Sequence, residues 1–152
     1  MRIAYTLGLA SAAMVLLTTA ASAQESKVVR SQLPASVRDT VSARSKGAVV
    51  KGFAREVEHG QTFYEAEMTV QGRSKDMLMD STGAVVEVEE QVTLASLPAA
   101  VRSALEDRAG KGRITMIESL VKQGRLVAYE ARVRSGTKRS EIQVGPSAEA
   151  LK

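Results

Sequence analysis

Residues 33–38 read LPASVR and residues 97–102 read LPAAVR, so nearly the same hexapeptide occurs twice, 64 residues apart. Further along, FYEAEM at 63–68 returns as AYEARV at 128–133, a spacing of 65 residues. A period of this length is too long for a solenoid repeat and suits a small α+β module. The two matches predict two tandem copies of one unit, at residues 33–92 and 96–152.

Each hexapeptide predicts the start of a short helix. Pro34 and Pro98 stand where proline suits the first helical turn. Helices of only about three turns are marginal in isolation, so each needs a sheet to pack against. Apolar residues four apart follow in both copies and give each helix one apolar face: Val37 with Val41, and Val101 with Leu105.

The remainder of each copy has the period-two pattern of strands with one buried face. Tyr64, Ala66 and Met68 alternate with Glu65 and Glu67, and Tyr129 heads the matching stretch of the second copy. DSTG at 80–83 predicts a tight turn, whereas GP at 145–146 replaces that turn in the second copy. We therefore predict an α+β fold of two tandem repeats, each with one short helix on a three- to four-stranded antiparallel meander. The fourth strand of the second repeat is expected to be short or absent.

The amino terminus predicts export. Arg2 precedes an apolar stretch that ends in a small-x-small site, ASA at 21–23, so we expect a signal peptide cleaved after Ala23. The polar residues 24–32 are expected to form a flexible lead-in. No later stretch is apolar enough to span a bilayer, so the mature protein is predicted to be periplasmic or secreted, without a stable membrane anchor.

Composition excludes several chemistries. The chain has no cysteine, which rules out zinc–thiolate sites and cysteine nucleophiles. Its single histidine, His59, precedes a turn glycine and is expected to be exposed rather than catalytic or metal-binding. No phosphate-binding glycine loop is present, and the basic stretches lack the aromatic platforms of nucleic-acid binders. We predict no catalytic residue, metal or cofactor.

Charge divides the chain unevenly. Residues 33–90 hold seven Lys and Arg against ten Asp and Glu, a net charge of −3, whereas residues 97–152 hold eleven against six, a net charge of +5. A basic half favours an anionic partner, although an uneven solvated surface gives the same pattern. The polar phases of the predicted strands and the basic hairpin of the second copy form the candidate binding surface: Glu65, Glu67, Glu130, Arg132, Arg134, Lys138 and Arg139.

The order of these motifs resembles the PepSY-like family, also described as β-lactamase-inhibitor-like. The Leu-Pro-x-x-Val helix start, the Tyr-Glu-Ala strand and the Asp-x-x-Gly turn carry the resemblance, which covers most of residues 31–144. It implies an exported α+β module that binds or restrains other proteins, including peptidases. The chain departs from the inhibitors for which the family is named, because it has few aromatic residues and no disulfide.

Three functions follow as hypotheses. The first is a non-catalytic module that binds an exported or envelope protein, as an inhibitor or regulator of an envelope peptidase or related enzyme. The second is an envelope sensor of a ligand or cation, which would use Glu65, Glu67, Glu87 and Glu89. The third, a hydrolase, is disfavoured because the sequence offers no nucleophile with a tuned base. Tyr64 and Tyr129 are expected to pack in the core.

Overall fold

The structure is a computed structural model that describes residues 24–151. The predicted signal peptide lies outside the described residues. Two helices are present, α1 (Ala35–Arg44) and α2 (Ala99–Ala109), each preceded by a short 3-10 helix at Arg30–Gln32 and Leu94–Ser96. The strands are β1 (Gln24–Val28), β2 (Ala48–Glu58), β3 (Gln61–Val70), β4 (Arg73–Asp80), β5 (Val85–Gln91), β6 (Arg113–Lys122), β7 (Arg125–Ser135) and β8 (Lys138–Val144).

All eight strands belong to one antiparallel sheet in which their spatial order is their order along the chain. The α+β class predicted from the sequence is confirmed. The strands form a single continuous sheet, because β5 pairs with β6 and places Val88 opposite Val121. The segment that carries α2 thus connects two strands that are neighbours in the sheet.

Both helices pack on the same face of the sheet. Each buries its predicted apolar stripe against the inward phase of the strands beneath it, as the spacing of Val37 and Val41 indicated. Tyr64 and Tyr129 pack against these two clusters, as expected. The buried residues are Leu33, Val37, Val41, Ala66, Met68, Met77 and Met79 under α1, and Leu97, Val101, Leu105, Ile117, Ala131 and Val144 under α2.

The predicted turn between β4 and β5 also anchors α1. A carboxylate oxygen of Asp80 accepts a hydrogen bond from the backbone N–H of Thr82 at 2.8 Å, and Gly83 takes a φ of 83°. From the helix, the Thr40 hydroxyl donates to the Gly83 carbonyl at 2.7 Å and the Ser36 hydroxyl donates to the backbone of the same turn at 3.0 Å. The turn therefore fixes the helix against the sheet.

The sheet begins with a strand that the sequence did not predict. Residues 24–28, predicted as part of a flexible lead-in, form β1 and pair along their length with β2, with Ser26 opposite Arg55. After β8, the described residues contain an isolated bridge between Val144 and Ala150 and no further named strand. The lead-in prediction failed because polar residues with no period-two pattern can still add a strand to an existing sheet edge by backbone hydrogen bonds.

Candidate functional site

The face of the sheet opposite the helices is lined with carboxylates. Because side chains alternate along a strand, Ala66 and Met68 of β3 point toward α1, while Glu65 and Glu67 point away from it. Both helices lie on the other side, so within residues 24–151 no helix covers this surface. We call it the open face.

One carboxylate from each of five neighbouring strands, β3 to β7, forms a band across the open face. Register pairs Glu67 with Asp76, Asp76 with Glu89, and Glu118 with Glu130. Between β5 and β6 the band steps along the strands, because Glu89 lies opposite Leu120. Neighbouring strands are about 4.8 Å apart, so these side chains are in mutual reach. We call this band the acidic row: Glu67, Asp76, Glu89, Glu118 and Glu130.

Several open-face carboxylates are buried although no helix within residues 24–151 covers them. Glu118 and Glu130 are each 4% exposed, Glu56 is 6% exposed and Glu65 is 9% exposed. Ala54, which lies opposite Glu65, is fully buried. Neighbouring side chains on the sheet therefore provide the shielding, and these carboxylates are largely removed from water.

Burial and mutual repulsion raise the pKa of four open-face carboxyl groups, those of Glu56, Glu65, Asp76 and Glu130. Burial is the main cause in every case. It raises the pKa of Glu65 to about 8, with the charge of Asp76 the next cause. The pKa of Glu56 rises to about 7 and that of Asp76 to about 6, with further contributions from neighbouring carboxylates. The pKa of Glu130 rises to about 8, assisted by a hydrogen bond with Glu141.

Two ion pairs on the open face lie on the side of the later strands. The Arg132 guanidinium contacts Glu118 at 3.1 Å, and Lys122 contacts Glu87 at 2.9 Å. The Ser74 hydroxyl also donates to Glu118, at 3.3 Å. On the side of the earlier strands, no described Lys or Arg forms an ion pair with any of four carboxylates: Glu56, Glu65, Glu67 and Asp76.

The predicted binding residues divide into three environments. Glu65 and Glu130, two residues of the candidate binding surface, are buried on the open face. Glu67 lies on the same face and is half-buried. Arg132, predicted as part of the basic hairpin, faces the acidic row and forms an ion pair with Glu118.

The other members of the basic hairpin are exposed at the sheet end where β7 turns into β8. Arg134 and Arg139 lie directly opposite each other, and Lys138 is paired with Ser135. The Nε of Arg134 donates to the Gly136 carbonyl at 3.1 Å. His59 is in the β2–β3 turn with its side chain 78% exposed, as predicted.

Sequence reasoning missed a three-carboxylate cluster. Asp76, Glu89 and Glu118 each bring one oxygen to within 4.8 Å of the others, a geometry that could hold a divalent cation through oxygen ligands. Asp76 and Glu118 follow the period-two pattern of their strands, which indicates their face. Their approach depends on the β4–β5 and β5–β6 registers, which the pattern does not give.

The fold and its open face define a class of protein: a single antiparallel sheet with both helices on one side and an acidic surface on the other. No protein-family model matches the chain, and no curated protein matches it. None of the helices in the described part of the chain is long and apolar enough to cross a membrane.

Solved structures do share the fold. A BLIP-like protein from Bacteroides fragilis aligns with a TM-score of 0.59 and 18% identity, over 78% of this chain and 84% of that one. A DUF2874 family protein from Bacteroides ovatus aligns with a TM-score of 0.62 and 17% identity, over 80% and 86%. A protein from Bacteroides eggerthii, described as periplasmic, aligns with a TM-score of 0.66 and 18% identity, over 79% and 86%. At these identities the similarity establishes the fold, and none of the three is described as an enzyme.

Proposed function

We propose that this chain is an exported, non-catalytic protein-binding module of PepSY-like type, built from two tandem copies of one unit, and that its open face is the binding surface. Its partner is an exported or envelope protein, and binding inhibits or regulates an envelope peptidase or a related enzyme. The predicted signal peptide, the internal sequence matches and the fold shared with BLIP-like and periplasmic-described proteins support the proposal.

The observation that carries the proposal is the burial of carboxylates on a face that no helix of the described chain covers. Burying a charge without a cation is unfavourable, and Glu56 and Glu65 have none in the described chain. Strongly perturbed ionisable groups concentrate at functional sites, where their cost to stability is offset by activity. Binding is the function that these buried carboxylates support, because a partner that supplies positive charge would stabilise their ionised form.

The absence of cysteine makes a direct test possible. Val49 lies on the open face, opposite Thr69, and is 60% exposed, whereas Ala43 is exposed on α1. The Val49→Cys and Ala43→Cys variants, each carrying the same photo-crosslinker, should be mixed with envelope extract. The proposal predicts one protein crosslinked at position 49 and not at 43, and that purified protein should bind the unlabelled chain. Equal or absent crosslinking at both positions would overturn the proposal.

The regulatory role has its own measurement. If the crosslinked partner is a peptidase or a related hydrolase, its turnover should change in the presence of saturating module, and the change should disappear when binding is blocked. If the bound module does not change the activity of the partner, the proposed binding function stands and the proposed regulatory role is wrong.

A cation sensor is the second candidate, and the cluster of Asp76, Glu89 and Glu118 is the observation that favours it. Mass action predicts a stability gain of about 2.7 kcal/mol at a hundredfold excess of cation over its dissociation constant. Thermal unfolding with and without Ca²⁺ or Mg²⁺ measures this gain. A melting temperature that neither ion moves would eliminate this candidate.

A further inference from the structure

We infer that the acidic row is the docking site for a cationic, helical segment of the partner protein, one that presents Lys or Arg side chains on one face. This inference rests on the proposed function and specifies the chemistry of its partner. The basic second half of the chain by itself would favour an anionic partner, so the structure reverses the expected polarity of the contact.

Charge balance on the open face favours a cationic segment. Arg132 is paired with Glu118 and Lys122 with Glu87, so neither of these cations neutralises the carboxylates on the earlier strands. No described cation pairs with Glu65, and the other carboxylates without an ion pair lie around it on strands β2, β3 and β4. An arriving ammonium or guanidinium would supply the missing countercharge, whereas an anionic segment would add repulsion.

The spacing of the acidic row favours a helical segment. Carboxylates of the acidic row on adjacent strands are separated by about 4.8 Å. Side chains on one face of a helix recur at about 5–6 Å for residues three and four apart, whereas those on one face of an extended strand recur at about 6.8 Å. A helix that crosses the strands can therefore place successive basic side chains opposite Glu67, Asp76 and Glu89.

The open face also has accessible apolar side chains among its carboxylates. Leu78 is partly exposed opposite Glu65, and Val49 is 60% exposed opposite Thr69. Lys and Arg have long aliphatic stems that pack on such surface while the charged end reaches a carboxylate. A hydrated small cation would use the charge and leave these apolar side chains unused, so a Lys- or Arg-bearing segment fits the whole surface better.

The test uses defined peptides and the full mature chain. The first probe is a fourteen-residue alanine-based helical peptide with lysine at positions three and four apart, and the second has glutamate in place of every lysine. The variant removes two open-face charges, Glu67→Gln with Asp76→Asn. The matched control removes two exposed charges from α2, Glu106→Gln with Asp107→Asn. Thermal unfolding of each variant confirms that it folds, and Glu67→Gln alone serves if the double variant does not.

The lysine peptide should bind the unsubstituted chain, and added NaCl should weaken the binding. Affinity should fall about tenfold or more in the open-face variant and less than about twofold in the control. Preference for the glutamate peptide would overturn the inference, as would equal loss in both variants. Displacement of the lysine peptide by millimolar Ca²⁺, with a rise in melting temperature from Ca²⁺ alone, would assign the row to a metal ion instead.

The same experiment separates this inference from the proposed function. If the Val49→Cys variant crosslinks an envelope protein but the chain binds neither peptide, the protein-binding function stands and the cationic partner segment is wrong. If the variant crosslinks nothing and the chain binds neither peptide, both the proposed function and this inference are wrong.

Discussion

Replacement of Glu65 by glutamine should stabilise the protein at alkaline pH and leave its stability unchanged at acidic pH. Glutamine has nearly the shape of a protonated glutamic acid and no charge. Glu65 is 9% exposed, forms no ion pair with a described Lys or Arg, and has its pKa raised from 4.5 to about 8 by burial and by Asp76. Ionisation of this carboxyl in the folded protein is therefore unfavourable.

The sign follows from the order of the two pKa values. Below pH 4.5 the carboxyl is protonated in both the folded and the unfolded chain, so its ionisation does not affect the free energy of unfolding. As the pH rises, the unfolded chain releases this proton first, and the folded chain keeps it until about pH 8. The free energy of unfolding therefore falls with pH across this window and levels off above it.

The size of the effect follows from the difference between the unfolded pKa of 4.5 and the folded pKa of about 8. At about 1.4 kcal/mol per pKa unit, this difference corresponds to a loss of about 5 kcal/mol in the free energy of unfolding, as an upper bound. The open face adjoins water, which screens part of this energy, so we expect about 2 kcal/mol between the variant and the unsubstituted protein at pH 9. With a urea dependence of about 2 kcal/mol/M, the unfolding midpoint should move by about 1 M.

Urea unfolding followed by far-UV circular dichroism at pH 5 and pH 9 measures this difference. Other carboxylates titrate in both proteins, so only the difference between the two curves reports on Glu65. The exposed Glu106 of α2 gives the control, since Glu106→Gln should have equal midpoints to the unsubstituted protein at both pH values. The reasoning would be refuted if Glu65→Gln were destabilised at pH 9, or if its difference from the unsubstituted protein did not depend on pH.

Four further substitutions test the fold and the site. Gly83→Ala should destabilise the protein by more than about 1 kcal/mol in thermal unfolding, because φ is 83° and the added Cβ would lie 2.6 Å from a backbone oxygen of α1. Gly124→Ala is the matched comparison, because φ is 77° there as well but the space around it is open, so it should lower the stability by less than Gly83→Ala does. Leu105→Ala leaves a cavity under α2 and should lower the free energy of unfolding in urea by about 3 kcal/mol. Arg132→Met leaves Glu118 buried without its cation, so it should lower the free energy of unfolding in urea by about 2 kcal/mol; an unfolding midpoint equal to that of the unsubstituted protein would contradict this.

The sequence was sufficient to predict the two helices, the strand around Tyr64 and the faces that they bury. The Leu-Pro-x-x-Val pattern located α1 and α2, and alternation around Tyr64 placed the correct side chains under the helix. The Asp80 turn formed as predicted because its determinants are local: a side chain that accepts backbone hydrogen bonds, and a glycine at positive φ.

What the sequence could not supply was the depth of each open-face residue. Alternation shows that Glu65 points away from the helix, but its burial depends on the strands on either side of β3. The approach of Asp76 to Glu118 likewise depends on β5 lying beside β6, across a connection that contains a whole helix. Such contacts are set by tertiary register, which a period-two pattern does not encode.

The direction of the pKa shifts provides an argument about selection on this surface. Carboxylates that merely keep a protein soluble remain exposed, where their cost to folding is small. At Glu56, Glu65 and Glu130 the carboxylates are buried and their ionisation opposes folding near neutral pH. A cationic partner would reverse that penalty, because a nearby positive charge lowers the pKa of a buried carboxyl and favours its charged form. Binding to the open face should then release protons, and the groups that weaken the free protein would be the ones that strengthen the complex.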